Sequence, residues 1–194
     1  MMQRLDTLLT LCGATSLLIA TAGCSGTANP NSEDGAEVGA VKEASGGVPE
    51  VRASDDCDPA TFGALCNPNF DGETTLAQFQ AELAARQSVG KWKYSSGVNT
   101  KSGRPVNVTS RAGETHTFTV VANFGGGFVP ALNTASGNPT PAPECLANPN
   151  ARNVTVLSGT SQLVTTGPGG TLPPGKYRVQ CCIHPWMRTE IEVK

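Results

Sequence analysis

Pro174-Gly175-Lys176-Tyr177-Arg178-Val179-Gln180-Cys181-Cys182-Ile183-His184-Pro185-Trp186-Met187-Arg188 stands near the end of a 194-residue chain. It reads as a strand that runs into a tight loop, and Ile191 and Val193 mark a closing strand that leaves it. The loop carries a thiol, an imidazole and a thioether in the pattern C-x-x-H-x-x-M. Cys, His and Met together are a soft, mixed donor set. Softness favours Cu(I), the imidazole also suits Cu(II), and a site that serves both states can pass an electron. A second imidazole is needed from elsewhere. The chain has two histidines, so the partner of His184 is His116.

Working back from the loop, short strands are expected around Trp92–Tyr94, Val106–Val108, His116–Val120, Asn153–Leu157, Ser161–Thr165, Lys176–Cys181 and Arg188–Lys194. A Gly/Pro/Asn-rich excursion separates the third from the fourth, running from Asn123 to about Arg152. Its Gly125-Gly126-Gly127 has neither the lysine nor the following helix of a phosphate loop and reads as a flexible turn. Strands divided by turns imply an all-β sandwich. Before it, Leu76, Phe79 and Leu83 at helical spacing predict one accessory helix over Thr74–Arg86, with Thr75 and Gln78 as a capping box.

The N-terminus reads as an export signal over residues 1–23. Arg4 precedes an apolar run, Leu8 to Ala20, too short to span a bilayer as a mature helix. Ala22-Gly23-Cys24 fits a lipoprotein signal with Cys24 as the lipid anchor, while Ala20-Thr21-Ala22 fits ordinary cleavage. Residues 24–56 are small, polar and Gly-rich, as in a disordered tether. Residues 57–90 hold a Cys57–Cys66 loop and the helix, and residues 91–194 the metal-binding domain. A formal net charge of −2 with 15 % charged residues excludes a polyanion-binding surface, so nucleic acid is not a partner. Seven cysteines suit an oxidising compartment. Cys12 leaves with the signal, and without Cys24 an odd number remains, so at least one thiol stays outside any intramolecular disulfide.

The quoted segment resembles the C-terminal ligand loop of the cupredoxins, the blue-copper family of plastocyanin, azurin, pseudoazurin and amicyanin. The run Cys-x-x-His-Pro-aromatic-Met-Arg is most like that of amicyanin. Gly113-Glu114-Thr115-His116-Thr117-Phe118-Thr119 resembles the family's segment around its first histidine. The resemblance spans about Lys91 to Lys194, with the excursion after Asn123 as an insertion. It implies a cupredoxin-like Greek-key β-sandwich and one copper ion cycling between Cu(I) and Cu(II). It also implies His116, Cys181 and His184 as trigonal ligands and Met187 as the weak axial one. Thr117 departs from the family, which often has Asn there to steady the ligand loop through its side chain. A second alignment would put Ala131 at the first-ligand position and leave the site one histidine short. Neighbouring strand residues face opposite ways, so only one of Cys181 and Cys182 reaches the metal, and the spacing selects Cys181. Cys145–Cys182 and Cys57–Cys66 would then use up the other cysteines, although parity does not fix connectivity.

An outer-sphere electron carrier at the cell envelope, acting as a monomer, is the function this implies. By resemblance, the His184 edge emerges through an apolar patch with Pro185 and Trp186, where a redox protein docks transiently. The rival is a copper-delivery or storage lipoprotein without a redox circuit. Zinc held by Cys145, Cys181, Cys182 and His184 would force adjacent strand residues onto one ion. A multicopper enzyme needs more histidines than two.

Overall fold

The strand periodicity of the C-terminal half carries through. In the computed structural model, which describes residues 47–147, 153–165 and 172–194, the elements in chain order are β1 (Glu50–Ser54), α1 (Pro59–Phe62), a single 3-10 turn (Gly63–Leu65), α2 (Leu76–Arg86), β2 (Lys93–Tyr94), β3 (Val98–Thr100), β4 (Pro105–Arg111), β5 (His116–Val121), α3 (Pro130–Ala135), α4 (Pro143–Leu146), β6 (Asn153–Val156), β7 (Ser161–Thr165), β8 (Gly175–Gln180) and β9 (Arg188–Val193). Two sheets form, in the orders β2-β1-β4-β7 and β3-β9-β8-β5-β6. This is the all-β sandwich class expected. The leader, Cys24 and the tether up to residue 46 lie outside the described residues. Among those described, no helix is long and apolar enough to cross a membrane.

Alternation builds the core. Val106 and Val108 on β4 and Ile191 and Val193 on β9 point inward while their neighbours face out. They meet Val51, Phe118, Val179, Trp92 and Met187 in one buried cluster. Burying each aliphatic side chain contributes about 1.5–3 kcal/mol of transfer free energy.

The boundary of the tether needs correction. Glu50–Ser54 is no leash: it is an interior strand, parallel to β4 from Glu50↔Asn107 to Ser54↔Arg111 and antiparallel to β2. Val51 and Ala53 are fully buried and their neighbours are not. That two-residue period is the physical reason the segment joins a sheet. A second correction concerns Gly125-Gly126-Gly127, which is tightly bonded. Gly126 N–H donates to the Thr140 carbonyl, Gly125 N–H to Gln180 Oε1, and Gly127 N–H to Asn133 Oδ1.

The accessory helix forms as its sequence dictates. The Thr75 hydroxyl accepts from Gln78 N–H, and the Gln78 side chain accepts from Thr75 N–H, a complete capping box. Phe79 and Leu83 turn inward. Thr75→Ala should destabilise the domain by about 1 kcal/mol, read as a lower urea midpoint at unchanged slope.

Two disulfides fasten loops to this frame. Cys57–Cys66 closes the turn carrying α1, and Cys145–Cys182 ties α4 to the residue after Cys181. Around the second bridge Val121, Ala142 and Phe124 form a small satellite cluster.

Candidate metal centre

Three side chains far apart in sequence converge at one end of the sandwich. His116 opens β5, a strand buried along its length except for the half-buried Val120. Cys181 follows the last residue of β8, and His184 sits in the loop that returns to β9. The loop is closed by its own backbone: Cys181 N–H donates to the Met187 carbonyl (3.0 Å), and Met187 N–H to the His184 carbonyl (2.9 Å). Cys181 Sγ lies 3.9 Å from Nδ1 of His116 and 3.9 Å from Nδ1 of His184. All three donor atoms lie within 4.8 Å of one another, and all three residues are buried.

The Cys145–Cys182 disulfide resolves the cysteine doublet. Cys181 is the free, buried thiol facing the imidazoles, while Cys182 turns away into its disulfide. Met187 is also buried, held through its backbone and packed in the main core. Ala131 lies in α3 and does not replace His116 in the cluster.

Thr117 takes on the bracing expected of an asparagine. Its Oγ1 accepts the Cys182 N–H at 2.7 Å, and its own N–H points at Cys181 Sγ at 3.4 Å. Below it the Tyr94 hydroxyl donates to the Thr117 carbonyl.

Each imidazole is gripped on the side away from the thiol. His116 Nε2 contacts Asp55 Oδ2 at 2.9 Å, with both side chains fully enclosed. His184 Nε2 lies 3.4 Å from Glu114 Oε2, which also accepts the Trp92 indole N–H at 2.5 Å. Asp55 is itself fixed by the N–H groups of Gly113 (2.8 Å) and Glu114 (3.0 Å). A histidine whose outer nitrogen is bonded to a carboxylate presents the inner one as a lone-pair donor, the usual outer support of a metal-ligating imidazole. Sequence reasoning missed both carboxylates. Asp55 fell in the supposed tether, and Glu114 was noted only as part of a motif.

The electrostatics agree with a thiolate among imidazoles. Burial by itself pushes the Cys181 thiol up; the adjacent imidazoles outweigh it and hold the group well below the usual thiol range. Burial likewise pulls His184 down, but Cys181 and Glu114 lift it to about 9. Burial raises Asp55, and His116 together with the backbone N–H groups brings it below the ordinary carboxylate value.

The expected exposed edge of His184 is absent. His184 is 2 % exposed and Pro185 is buried as well. The cover combines Trp92 and Trp186 of the predicted domain with Phe62 and Phe79, which precede it. Trp186, half-buried, meets the His184 ring edge-on at 5.4 Å between centroids, and Phe79 of α2 packs against Trp186 at 5.9 Å. Phe62 and Trp92 extend this aromatic roof. Beside it runs an apolar groove of about 540 Å³ between the α1–α2 segment and α3. Leu65, Leu76 and Leu132 line it, and Ile183 and His184 also border it.

The architecture is a β-sandwich with a thiol and two imidazoles enclosed at the end where β8 turns into β9. No family model matches the chain, and no curated protein matches it. Among solved structures, the purple cupredoxin from Nitrosopumilus maritimus aligns at 12 % identity, over 75 % of this chain and 99 % of that one, with a TM-score of 0.35. An oxidised amicyanin variant aligns at 14 % identity over 79 % and 88 % of the two chains (TM-score 0.37). A reduced amicyanin variant aligns at 18 % identity over 55 % and 78 % (TM-score 0.34). At these scores the neighbours add no weight to the geometry.

The donor set fits a soft or borderline metal. Both imidazoles turn Nδ1 to the thiol, their outer nitrogens are occupied, and the thiol is held toward its anionic form. Three donors from one strand and a braced loop make a site whose shape the fold dictates.

Proposed function

We propose that this chain is a type 1 (blue) copper protein that carries electrons by outer-sphere transfer at the cell envelope. His116, Cys181 and His184 would hold one copper ion, with Met187 as the weak axial ligand. The observation that carries this reading is the buried thiol flanked at 3.9 Å by two Nδ1 atoms. Copper bound there supplies a one-electron couple between Cu(I) and Cu(II). The residues of the chain do the rest. The closed loop 181–187, the bracing by Thr117 and the two carboxylates keep the donors in place whatever the charge between them. Rigid donors keep the rearrangement on electron transfer small.

Enclosure favours the carrier over copper delivery. A donor protein must let an acceptor's ligands reach the ion, whereas Cys181, His116 and His184 are buried, His184 behind Trp186. The electron would leave through His184 toward the apolar groove, where a redox protein with a matching apolar face would dock transiently. Export, with Cys24 as the lipid anchor, is part of the same reading. It is supported by the leader-like N-terminus and by two disulfides, which persist in oxidising compartments.

An absorption spectrum tests the proposal. The copper-loaded protein should show an intense visible thiolate-to-copper band that bleaches with ascorbate and returns with ferricyanide. A colourless complex would sink it. Rapid transfer of Cu(I) to a chelating acceptor domain would favour delivery instead.

Binding should also follow the proton on His184. In the metal-free protein that imidazole holds its proton up to about pH 9, and a metal must displace it. Affinity for zinc, used as a redox-inert probe, should rise about tenfold per pH unit for each proton displaced and level off above pH 9. Competition titrations at pH 6, 7 and 8 read the slope; a flat profile would contradict the assigned donors.

A further inference from the structure

Both imidazoles of the centre end on buried carboxylates, and the backbone of one of these residues is bonded to the side chain of the other. Asp55 accepts the Glu114 backbone N–H at 3.0 Å, so β1 and the segment before β5 are tied together directly behind the histidines. Asp55 has four N–H groups around it: Cys57 (3.4 Å), Gly113 (2.8 Å), Glu114 (3.0 Å) and His116 Nε2 (2.9 Å). A fully enclosed carboxyl surrounded by donors is held as the anion. Glu114 is 8 % exposed and its Oε2 serves both the Trp92 indole and His184 Nε2.

Charge counting gives these groups a consequence beyond orientation. A thiolate and two carboxylates carry three negative charges, and neutral imidazoles add none. With a divalent ion the enclosed cluster sums to −1, and with a monovalent ion to −2. Adding an electron to a cluster that is already negative and shielded from water is unfavourable, because the field there is weakly screened. A hydrogen-bonded carboxylate also makes an imidazole a stronger donor, which favours the higher charge on the metal.

We propose that Asp55 and Glu114 are positioning residues that fix Nδ1 of His116 and His184 toward copper and bias the centre toward Cu(II), setting a low reduction potential. This rests on the copper reading above. Their effect passes through the imidazoles, and neither is assigned as a ligand.

The test is a spectroelectrochemical titration of the copper-loaded protein and of Asp55→Asn and Glu114→Gln, which keep shape and remove charge. Each variant should keep its visible band while the ratio of Cu(II) to Cu(I) affinity falls at least tenfold. For a one-electron couple that is a rise of about 59 mV or more. Glu114→Gln carries the test should Asp55→Asn fail to fold. Potentials that stay or fall in variants that remain coloured would overturn the inference and leave the copper reading intact. A wild-type protein without a thiolate-to-copper band would instead overturn that reading. Independently of copper, ¹⁵N spectra of the zinc-loaded protein should report Nε2–H on both histidines. A proton on Nδ1 of either would overturn the positioning role.

Discussion

Cys181→Ser should remove the visible colour of the copper-loaded protein completely while leaving the domain folded. The band arises from charge transfer out of a thiolate, and Cys181 is the free cysteine among the described residues. The hydroxyl that replaces it keeps nearly the same volume in a fully buried pocket, and both disulfides are untouched. It does not ionise near neutral pH and is a poor ligand for Cu(I). The Thr117 N–H would find an oxygen where sulfur had been, so little bonding is lost. Far-ultraviolet circular dichroism and the urea midpoint should therefore change modestly while the absorption vanishes. Cys182→Ser supplies the contrast. It breaks the bridge to Cys145 and costs about 2–5 kcal/mol, but leaves the sulfur that faces the imidazoles, so the band should survive. Colour retained in Cys181→Ser and lost in Cys182→Ser would reverse the assignment of the doublet.

Gly127→Ala should be the most damaging added methyl among the described glycines. A Cβ on Gly127 would stand 1.7 Å from the Cys182 carbonyl oxygen and 2.4 Å from its carbon. Backbone cannot swing aside as a side chain can. Cys182 is held by its disulfide, by its N–H to Thr117 and by its carbonyl, which accepts Phe128 N–H at 2.9 Å. Gly127 is clamped from the other side, where Asn133 gives and receives one bond with its backbone, at 2.8 and 2.6 Å. Relief requires that the insertion and the ligand loop part. The expected loss is about 3 kcal/mol or more, read from the urea midpoint, with weakened copper retention because Cys181 is the next residue along. Gly47→Ala, where the added methyl meets nothing within 4 Å, serves as the control and should stay within about 0.5 kcal/mol. A Gly127→Ala protein as stable as that control would show that the two loops are not packed as described.

The three residues of the buried cluster were legible because their signals are local. Cys181 and His184 share one loop, His116 heads an alternating strand, and scarcity of histidine leaves no competitor. The capping box of α2 lies within four residues. What escaped depends on long-range pairing. Asp55 reaches His116 across 61 positions through a parallel pairing of β1 with β4, and the run before it is too polar to announce a strand. Val51 and Ala53 alternating with Arg52 and Ser54 were the available signal. β3 has only three residues and pairs in parallel with β9, which leaves almost no periodicity. The helices α1, α3 and α4 each begin with proline. Proline is a good first helical residue, but amid Gly and Asn it reads as loop. His184 looked exposed because Phe62 and Phe79, which complete its cover beside Trp92 and Trp186, lie in the segment 57–90 that was set outside the metal-binding domain.

The placement of Glu50–Ser54 inside a sheet decides where the domain can be cut. A recombinant version begun at Cys57 would lack the strand between β2 and β4 and the counter-charge behind His116, so it would misreport both solubility and metal affinity. The safe starting point lies ahead of Pro49, whose carbonyl already accepts the Asn107 N–H.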